Sequence, residues 1–136
     1  DVFGIIGVIN EKTTIGQNWK QISSRVDYIS PMIYPSHFHN GFKNIEFPDQ
    51  SPNQLISSVL KDSVLMNLEV KNAAIIRPWI QGFTAYWLKN HRTYRALEVK
   101  EQIKALTERN IEEYLIWSPQ SYYHHLLSSE SDLGPL

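Results

Sequence analysis

The alternation of short apolar runs with stretches of helical spacing constrains this chain more than any other feature. Val2-Phe3-Gly4-Ile5-Ile6-Gly7-Val8-Ile9 is continuous, apolar and rich in β-branched residues, the pattern of a strand covered on both faces. Ile15, Trp19, Ile22 and Val26 then recur at i, i+4, i+7 and i+11 and predict a short helix with one apolar stripe. Asp27 to Tyr34 predicts a second strand. A long loop from Pro35 to Pro52 leads to Leu55, Ile56, Val59 and Leu60, again at helical spacing, with Ser51 or Asn53 as the cap. Ala73 to Gln81 predicts a third strand. The strongest helix runs from Tyr94 to Arg109, with Ala96, Val99, Ile103 and Leu106 turned inward and Glu98, Lys100, Glu101, Lys104 and Glu108 outward. Tyr114 to Trp117 is the fourth strand, and the residues from 118 on read as an irregular polar tail carrying a Tyr-rich patch.

The order β, α, β, α, β, α, β, with every crossover long enough to hold a helix, predicts an α/β fold built on an all-parallel sheet. No internal repeat suggests a solenoid. A doubly wound nucleotide-binding sheet is disfavoured because Val8-Ile9-Asn10-Glu11-Lys12 carries no G-x-G-x-x-G turn after the first strand. Pro31 and Pro78 fall inside runs that read as central strands, where each would remove a ladder hydrogen bond, so bulges are expected at both.

Length and charge then narrow the function. The chain has 136 residues, whereas a complete (β/α)8 barrel takes about 250. An apolar strand at the first residues, with no initiator Met, reads as a processed or truncated piece of something longer. A formal charge of −1 with no basic run gives no electrostatic reason to expect nucleic acid or an anionic membrane as partner. The longest apolar run is too short to span a bilayer and is interrupted by Gly4 and Gly7. The absence of cysteine excludes disulfides, thiolate nucleophiles and zinc–thiolate sites.

In parallel α/β folds ligands sit at the carboxyl ends of the strands. Those ends offer Tyr34, Ser36, His37 and His39 after strand two, then Trp79, Gln81, Phe83, Tyr86 and Trp87 after strand three. Strand four contributes Trp117, Ser118, Gln120 and Tyr122. Three of the four tryptophans lie in these segments, and rings beside Gln, His and Ser suit a sugar, whose apolar faces stack while its hydroxyls bond. Packing of the rings beneath the loops is the competing reading. Arg77, Trp79 and Gln81 share one face by the period of two. A buried Arg77 calls for a carboxylate on a neighbouring strand or for loop carbonyls.

His37 and His39 could share a metal, but no third ligand stands at a diagnostic spacing, so no metal site and no cofactor are assigned. His124 and His125 read as solvated surface. No G-x-S-x-G elbow supports a serine hydrolase. Glycoside hydrolysis generally needs two carboxylates about 5 to 9.5 Å apart, yet the strand ends offer none, and only Glu46 and Asp49 lie in a suitable loop.

Four blocks carry a family resemblance: Ile15-Gly16-Gln17, Val26-Asp27-Tyr28-Ile29-Ser30-Pro31-Met32-Ile33-Tyr34-Pro35-Ser36-His37-Phe38, Arg77-Pro78-Trp79-Ile80-Gln81-Gly82-Phe83 and Leu115-Ile116-Trp117-Ser118. In this order and spacing they resemble the bacterial putative glycosyl hydrolase domain family, over Val2 to about Tyr122. The resemblance implies a TIM barrel distantly similar to the alpha-amylase type of glycosidase. It implies that this chain is the second half of one, its strands matching strands five to eight. By resemblance Tyr34, His37, Arg77, Trp79, Gln81 and Trp117 line the substrate cleft, none of them an established catalytic residue, and the family's acidic candidates lie in the first half. Ser118, where the family often has Asn, and His39-Asn40, in place of a more Gly-rich turn, depart from the pattern.

The expectation is therefore residues 1–122 as the C-terminal half of a glycosyl hydrolase-like barrel and 123–136 as a tail. The function expected is the cleft half of a glycoside hydrolase, acting on an oligo- or polysaccharide through acids supplied elsewhere. A non-catalytic glycan-binding or cell-wall-associated module is the alternative, and a structural domain with all its rings in the core a third. The isolated chain should pair with a second copy, stay bound to its missing half, or aggregate. A cell-envelope or secreted location is a mild expectation from polysaccharide chemistry.

Overall fold

The computed structural model describes residues 1–126. Six short strands and three helices alternate along the chain: β1 Val2–Phe3, α1 Trp19–Ser23, β2 Tyr28–Ile29, β3 Pro31–Met32, α2 Pro52–Leu68, β4 Ile75–Ile76, β5 Trp79–Gln81, α3 Ala96–Thr107 and β6 Leu115–Trp117. All the pairings are parallel. One sheet has the order β1-β3-β5-β6, and β2 pairs with β4 in a second. Sequential parallel order with helical crossovers is the arrangement predicted from the apolar periodicity.

The two long central strands are each broken, and both breaks fall at the prolines. Tyr28 and Ile29 pair with Ile75 and Ile76, then the chain passes Ser30 and Pro31 pairs with Val2. The other strand breaks at Arg77-Pro78 before Trp79 pairs with Met32 and Leu115. The bulges expected there are thus changes of ladder partner. Neither proline forfeits a bond that matters: the Arg77 N–H donates to the Ile29 carbonyl, Val2 N–H to Ser30 and Leu115 N–H to Pro78.

The first strand is much shorter than its apolar run. After Phe3 the chain enters a 3-10 turn, Gly4–Gly7. Both glycines are sites of close approach: a Cβ on Gly4 would lie 2.4 Å from the Met32 carbonyl oxygen, and one on Gly7 would lie 2.4 Å from Ser63 Oγ. The turn packs against α2, and the Ser63 hydroxyl donates to the Gly7 carbonyl at 2.8 Å. Apolar content thus reported the burial of Val2, Ile6 and Val8, but neither the extension of the run nor the exposure of Phe3 and Ile9.

Helix α1 is also shorter than its stripe. Gly16 sits in the left-handed region (φ 71°), and the Asn18 side chain caps the helix by accepting from Gln21 N–H at 3.0 Å. Only Trp19 and its four successors are helical. Trp19 is buried, Ile22 packs at the edge of the same cluster, and Ile15 and Val26 are exposed.

Helix α2 begins with Ser51 at the cap and Pro52 in the first turn, as its sequence suggests. Leu55, Ile56, Val59 and Leu60 are fully buried against α3, Ile33 of the strand-two segment and Ile80 of β5. Helix α3 starts two residues later than expected, and its polar face is partly internal. Glu98 is buried and accepts the Arg95 N–H at 2.9 Å, while its other oxygen takes Arg92 Nε, also at 2.9 Å. Glu101 receives the remaining Arg92 nitrogens. The outward placement read for Glu98 is corrected by Arg92, a charge from the preceding loop that periodicity cannot register.

The packed chain continues past residue 122. A 3-10 turn at His124–Leu126 puts Leu126 into the main core at 1% exposure, in contact range of Gly82. His124 is exposed, but His125 stacks on Tyr122 and so is not simply solvated. Residues 127–136 of the expected tail lie outside the described residues. Among the described residues no helix is long and apolar enough to cross a membrane.

Candidate functional site

Strands β5 and β6, with the segment that follows β3, gather the chemistry-bearing residues, Trp79 opening β5 and Trp117 closing β6. Strand alternation sends Ile80 into the helix layer and leaves Trp79 on the opposite face. There Trp79 meets Trp117 edge-to-face, with ring centroids 6.0 Å apart and planes at 90°. Its indole Nε1 donates to Asp1 Oδ1 at 2.9 Å. Trp79 also packs against the cluster of Tyr34, Phe83 and Ala85.

From Tyr34 the aromatic surface continues outward. Tyr34 stands 5.4 Å from the His37 ring and 5.8 Å from Phe83, and His37 lies 6.0 Å from Trp87. Trp87 stacks on Phe83 at 6.0 Å and an angle of 26°. Burial raises the Tyr34 phenol to about 12, so it stays a neutral donor. Burial also lowers His37 below its ordinary value, and the charge of Asp49 partly offsets that effect. A neutral imidazole at neutral pH can both donate and accept.

Four of the six residues assigned to the cleft by resemblance, Tyr34, His37, Trp79 and Trp117, therefore lie in one continuous aromatic cluster, with Tyr34 buried, Trp79 half-buried and His37 and Trp117 exposed. Gln81 and Arg77 stand apart from it. Gln81 is fully buried behind the surface, with every polar atom of its side chain engaged. Its Oε1 accepts from Ser36 N–H at 3.0 Å, and its Nε2 donates to Asp49 Oδ1 at 3.1 Å and to the Phe83 carbonyl at 3.0 Å. Its backbone is clamped by Gln102, whose Oε1 accepts from Gln81 N–H at 2.9 Å and whose Nε2 donates to the Gln81 carbonyl at 2.8 Å. Gln81 thereby holds Ser36 beside His37, whose Nδ1 is 3.1 Å from Ser36 Oγ.

Arg77 lies where β4 gives way to β5, with its guanidinium 4.2 Å from the centroid of the Tyr28 ring. Its Nε is buried and has no hydrogen-bond partner among the described residues. Neither the carboxylate nor the loop carbonyls foreseen for it are in place there.

Two carboxylates shape this region. Asp49 was visible in its loop as a candidate, but it is 4% exposed and receives Gln81 Nε2 and the Arg92 N–H at 2.8 Å. It is a structural anchor for three segments. Glu46 is exposed away from these contacts. Asp1 went unweighed because the first residue has no preceding pattern to place it. Sequence reasoning also missed Arg95, which joins Tyr86, Trp87, Ser118, Tyr122 and His125 around a cavity of about 530 Å³ at the ends of β5 and β6. His37 and His39 do not converge: His37 Nδ1 is at Ser36 Oγ and His39 Nδ1 is at the Asn40 carbonyl. No group of three His, Asp or Glu side chains able to hold a metal forms among the described residues.

No curated protein matches the chain. A crystal structure of bee venom hyaluronidase in a monoclinic form is similar with a TM-score of 0.51 and 10% identity, covering 75% of this chain and 31% of that one. A second, bee venom hyaluronidase in complex with a hyaluronic acid tetramer, has a TM-score of 0.44 and 10% identity, covering 67% and 25%. The chain thus spans a quarter to a third of the length of these structures. At that identity the likeness concerns the fold alone, a parallel α/β arrangement of the TIM-barrel kind. A family model matches residues 1–123, nearly the whole described chain, and on that match the protein belongs to the family described as "Putative glycosyl hydrolase domain".

Proposed function

We propose that this chain forms the substrate-cleft half of a glycoside hydrolase barrel, acting on O-glycosidic bonds of an oligo- or polysaccharide. The observation that carries this reading is the aromatic cluster running from Trp117, which closes β6, through Trp79 and the buried Tyr34 to the exposed His37 in the loop after β3, the side of the sheet on which parallel α/β folds bind ligands. Its rings supply stacking platforms for sugar faces. The Tyr34 hydroxyl and the His37 imidazole supply hydrogen bonds that need no charge.

The chemistry requires a pair of carboxylates about 5 to 9.5 Å apart. Asp49 is buried and saturated, which leaves Asp1, held by the Trp79 indole, as the carboxylate this chain brings to the open face. The acids that complete the reaction then come from strands outside this chain. The inner face supports such a completion: Phe3, Tyr28, Ile75 and Trp117 are exposed large side chains, and the buried Nε of Arg77 lacks a partner. Strands from the rest of a barrel would cover these rings and could offer Arg77 a carboxylate.

The lack of a free carboxylate pair among these residues also favours a second reading, a glycan-binding module without turnover. One experiment separates them. Saccharides are titrated into the natural polypeptide carrying this chain while Trp fluorescence and reducing-end release are followed together. Both signals are expected to respond. A fluorescence change without product would favour the binding module, and no response in either would remove the carbohydrate reading altogether.

A further inference from the structure

The cavity at the ends of β5 and β6 has a lining unlike that of the aromatic surface beside it. Tyr86 and Trp87 are exposed at its mouth, Trp87 at 64%, and Tyr122 stacks on His125 with centroids 5.1 Å apart and planes at 11°. Ser118 shapes the opposite wall, its hydroxyl donating to the Tyr122 carbonyl at 3.0 Å. The lining contains one formal charge, the exposed guanidinium of Arg95, and no carboxylate.

The acid bonded to the Arg95 backbone is already neutralised. Glu98 bonds the Arg95 backbone N–H, but its charge is paired with Arg92, which Glu101 also engages. The Arg95 side chain has no ion-pair partner among the described residues. His125 also belongs to the lining, and its buried Nδ1 has no hydrogen-bond partner among the described residues. Aromatic faces, hydroxyls and a cation without an acid are complementary to a pyranose that carries an anionic group.

We propose that this cavity is a subsite for an anionic sugar residue, a uronate, whose carboxylate meets Arg95 while its ring lies against Trp87 and Tyr86. A guanidinium presents a planar fork that fits a carboxylate with two parallel bonds. The cavity volume of about 530 Å³ accommodates one sugar ring with water. The proposal rests on the carbohydrate reading of the neighbouring surface and adds to it a charge preference. It also separates two tasks: the subsite holds no carboxylate for chemistry, so it selects the chain and leaves cleavage to the Asp1 region.

The test uses the natural polypeptide at low ionic strength. NMR titration compares glucuronate and galacturonate with their methyl esters, which keep the ring and remove the charge. Glucose 6-sulfate tests whether a sulfate substitutes for the carboxylate. At least one uronate is expected to bind about tenfold more tightly than its ester, with shifts at Trp87 and Tyr122, and Arg95→Met is expected to abolish the difference. Esters and acids binding equally, with shifts at Trp79 and Trp117, would overturn the charged subsite and leave the carbohydrate reading standing. Preference for the sulfate over both uronates would overturn the uronate assignment. No binding of any sugar, neutral or charged, would count against both. The acid–ester comparison on the unaltered protein needs no variant, so it decides the matter even if Arg95→Met perturbs the fold.

Discussion

The Trp79 indole nitrogen donates to the carboxylate of Asp1 across 78 residues of sequence, at 2.9 Å, and the same ring meets Trp117 edge-on. This contact ties the first residue of β1's approach to the third strand of the sheet. It sets an acid beside two rings on the open face, an arrangement suited to a glycosidic oxygen above the platform.

Asp1→Asn keeps an oxygen acceptor for the indole and removes the charge, so Trp79 should hold its position. Turnover of the natural polypeptide should fall at least a hundredfold while saccharide affinity changes less than threefold. Parallel measurement of kcat and of the Kd for a non-cleaved analogue checks this. A loss confined to affinity would make Asp1 a binding group only.

Gln81 should matter to stability rather than to contact with substrate. Gln81→Leu leaves Ser36 N–H, the Phe83 carbonyl and one oxygen of Asp49 without their buried partner. A cost of about 3 kcal/mol is expected, since each stranded buried group costs about 1–3 kcal/mol. Urea unfolding measures it. The reciprocal change Gln102→Leu should cost about 2 kcal/mol by exposing the Gln81 backbone groups to an apolar neighbour.

His37 should titrate below 6.5, because burial disfavours its charged form more than Asp49 favours it. Between 6.5 and the lowered folded value the unfolded chain binds more protons, so this contribution is intact above pH 6.5 and declines as the pH falls through that window. Asp49→Asn removes the compensating charge and should lower the His37 value further. Imidazole proton shifts followed by NMR would read both, and a rise in the variant would show that the wrong cause had been assigned.

Two glycines should respond differently to alanine. At Gly4 the new Cβ would meet the Met32 carbonyl oxygen at 2.4 Å, a clash with backbone that cannot move cheaply, costing about 2–3 kcal/mol. Gly41 has φ 83° and open space around it, so only backbone strain applies, about 1 kcal/mol. Thermal unfolding of the two variants should rank them in that order.

These contrasts show what was legible in the sequence. The alternation of elements, their parallel pairing and the buried faces of α2 and α3 follow from apolar spacing, because burial of Leu55, Ile56, Val59 and Leu60 is a matter of period alone. Where a residue was mistaken, a polar partner distant in sequence had decided its place. Glu98 turned inward for Arg92, Gln81 is buried where it bridges Ser36 and Asp49, and Arg77 lies against the Tyr28 ring. The first strand ended early because Gly4 and Gly7 allow a turn to settle on α2, and no count of apolar residues reports such an approach. That Tyr34, His37, Trp79 and Trp117 fall close together was legible, since neighbouring strands of a parallel sheet bring their loops together whatever the packing details.

The most direct test of the central claim is kcat/KM for glycoside hydrolysis by the natural polypeptide and by its Trp117→Ala variant. Trp117 is 42% exposed, so its removal spares the core, and loss of one stacking platform should lower kcat/KM about tenfold. Undiminished hydrolysis in the variant would place the substrate elsewhere, and a natural polypeptide that cleaves no glycoside would contradict the enzymatic reading itself.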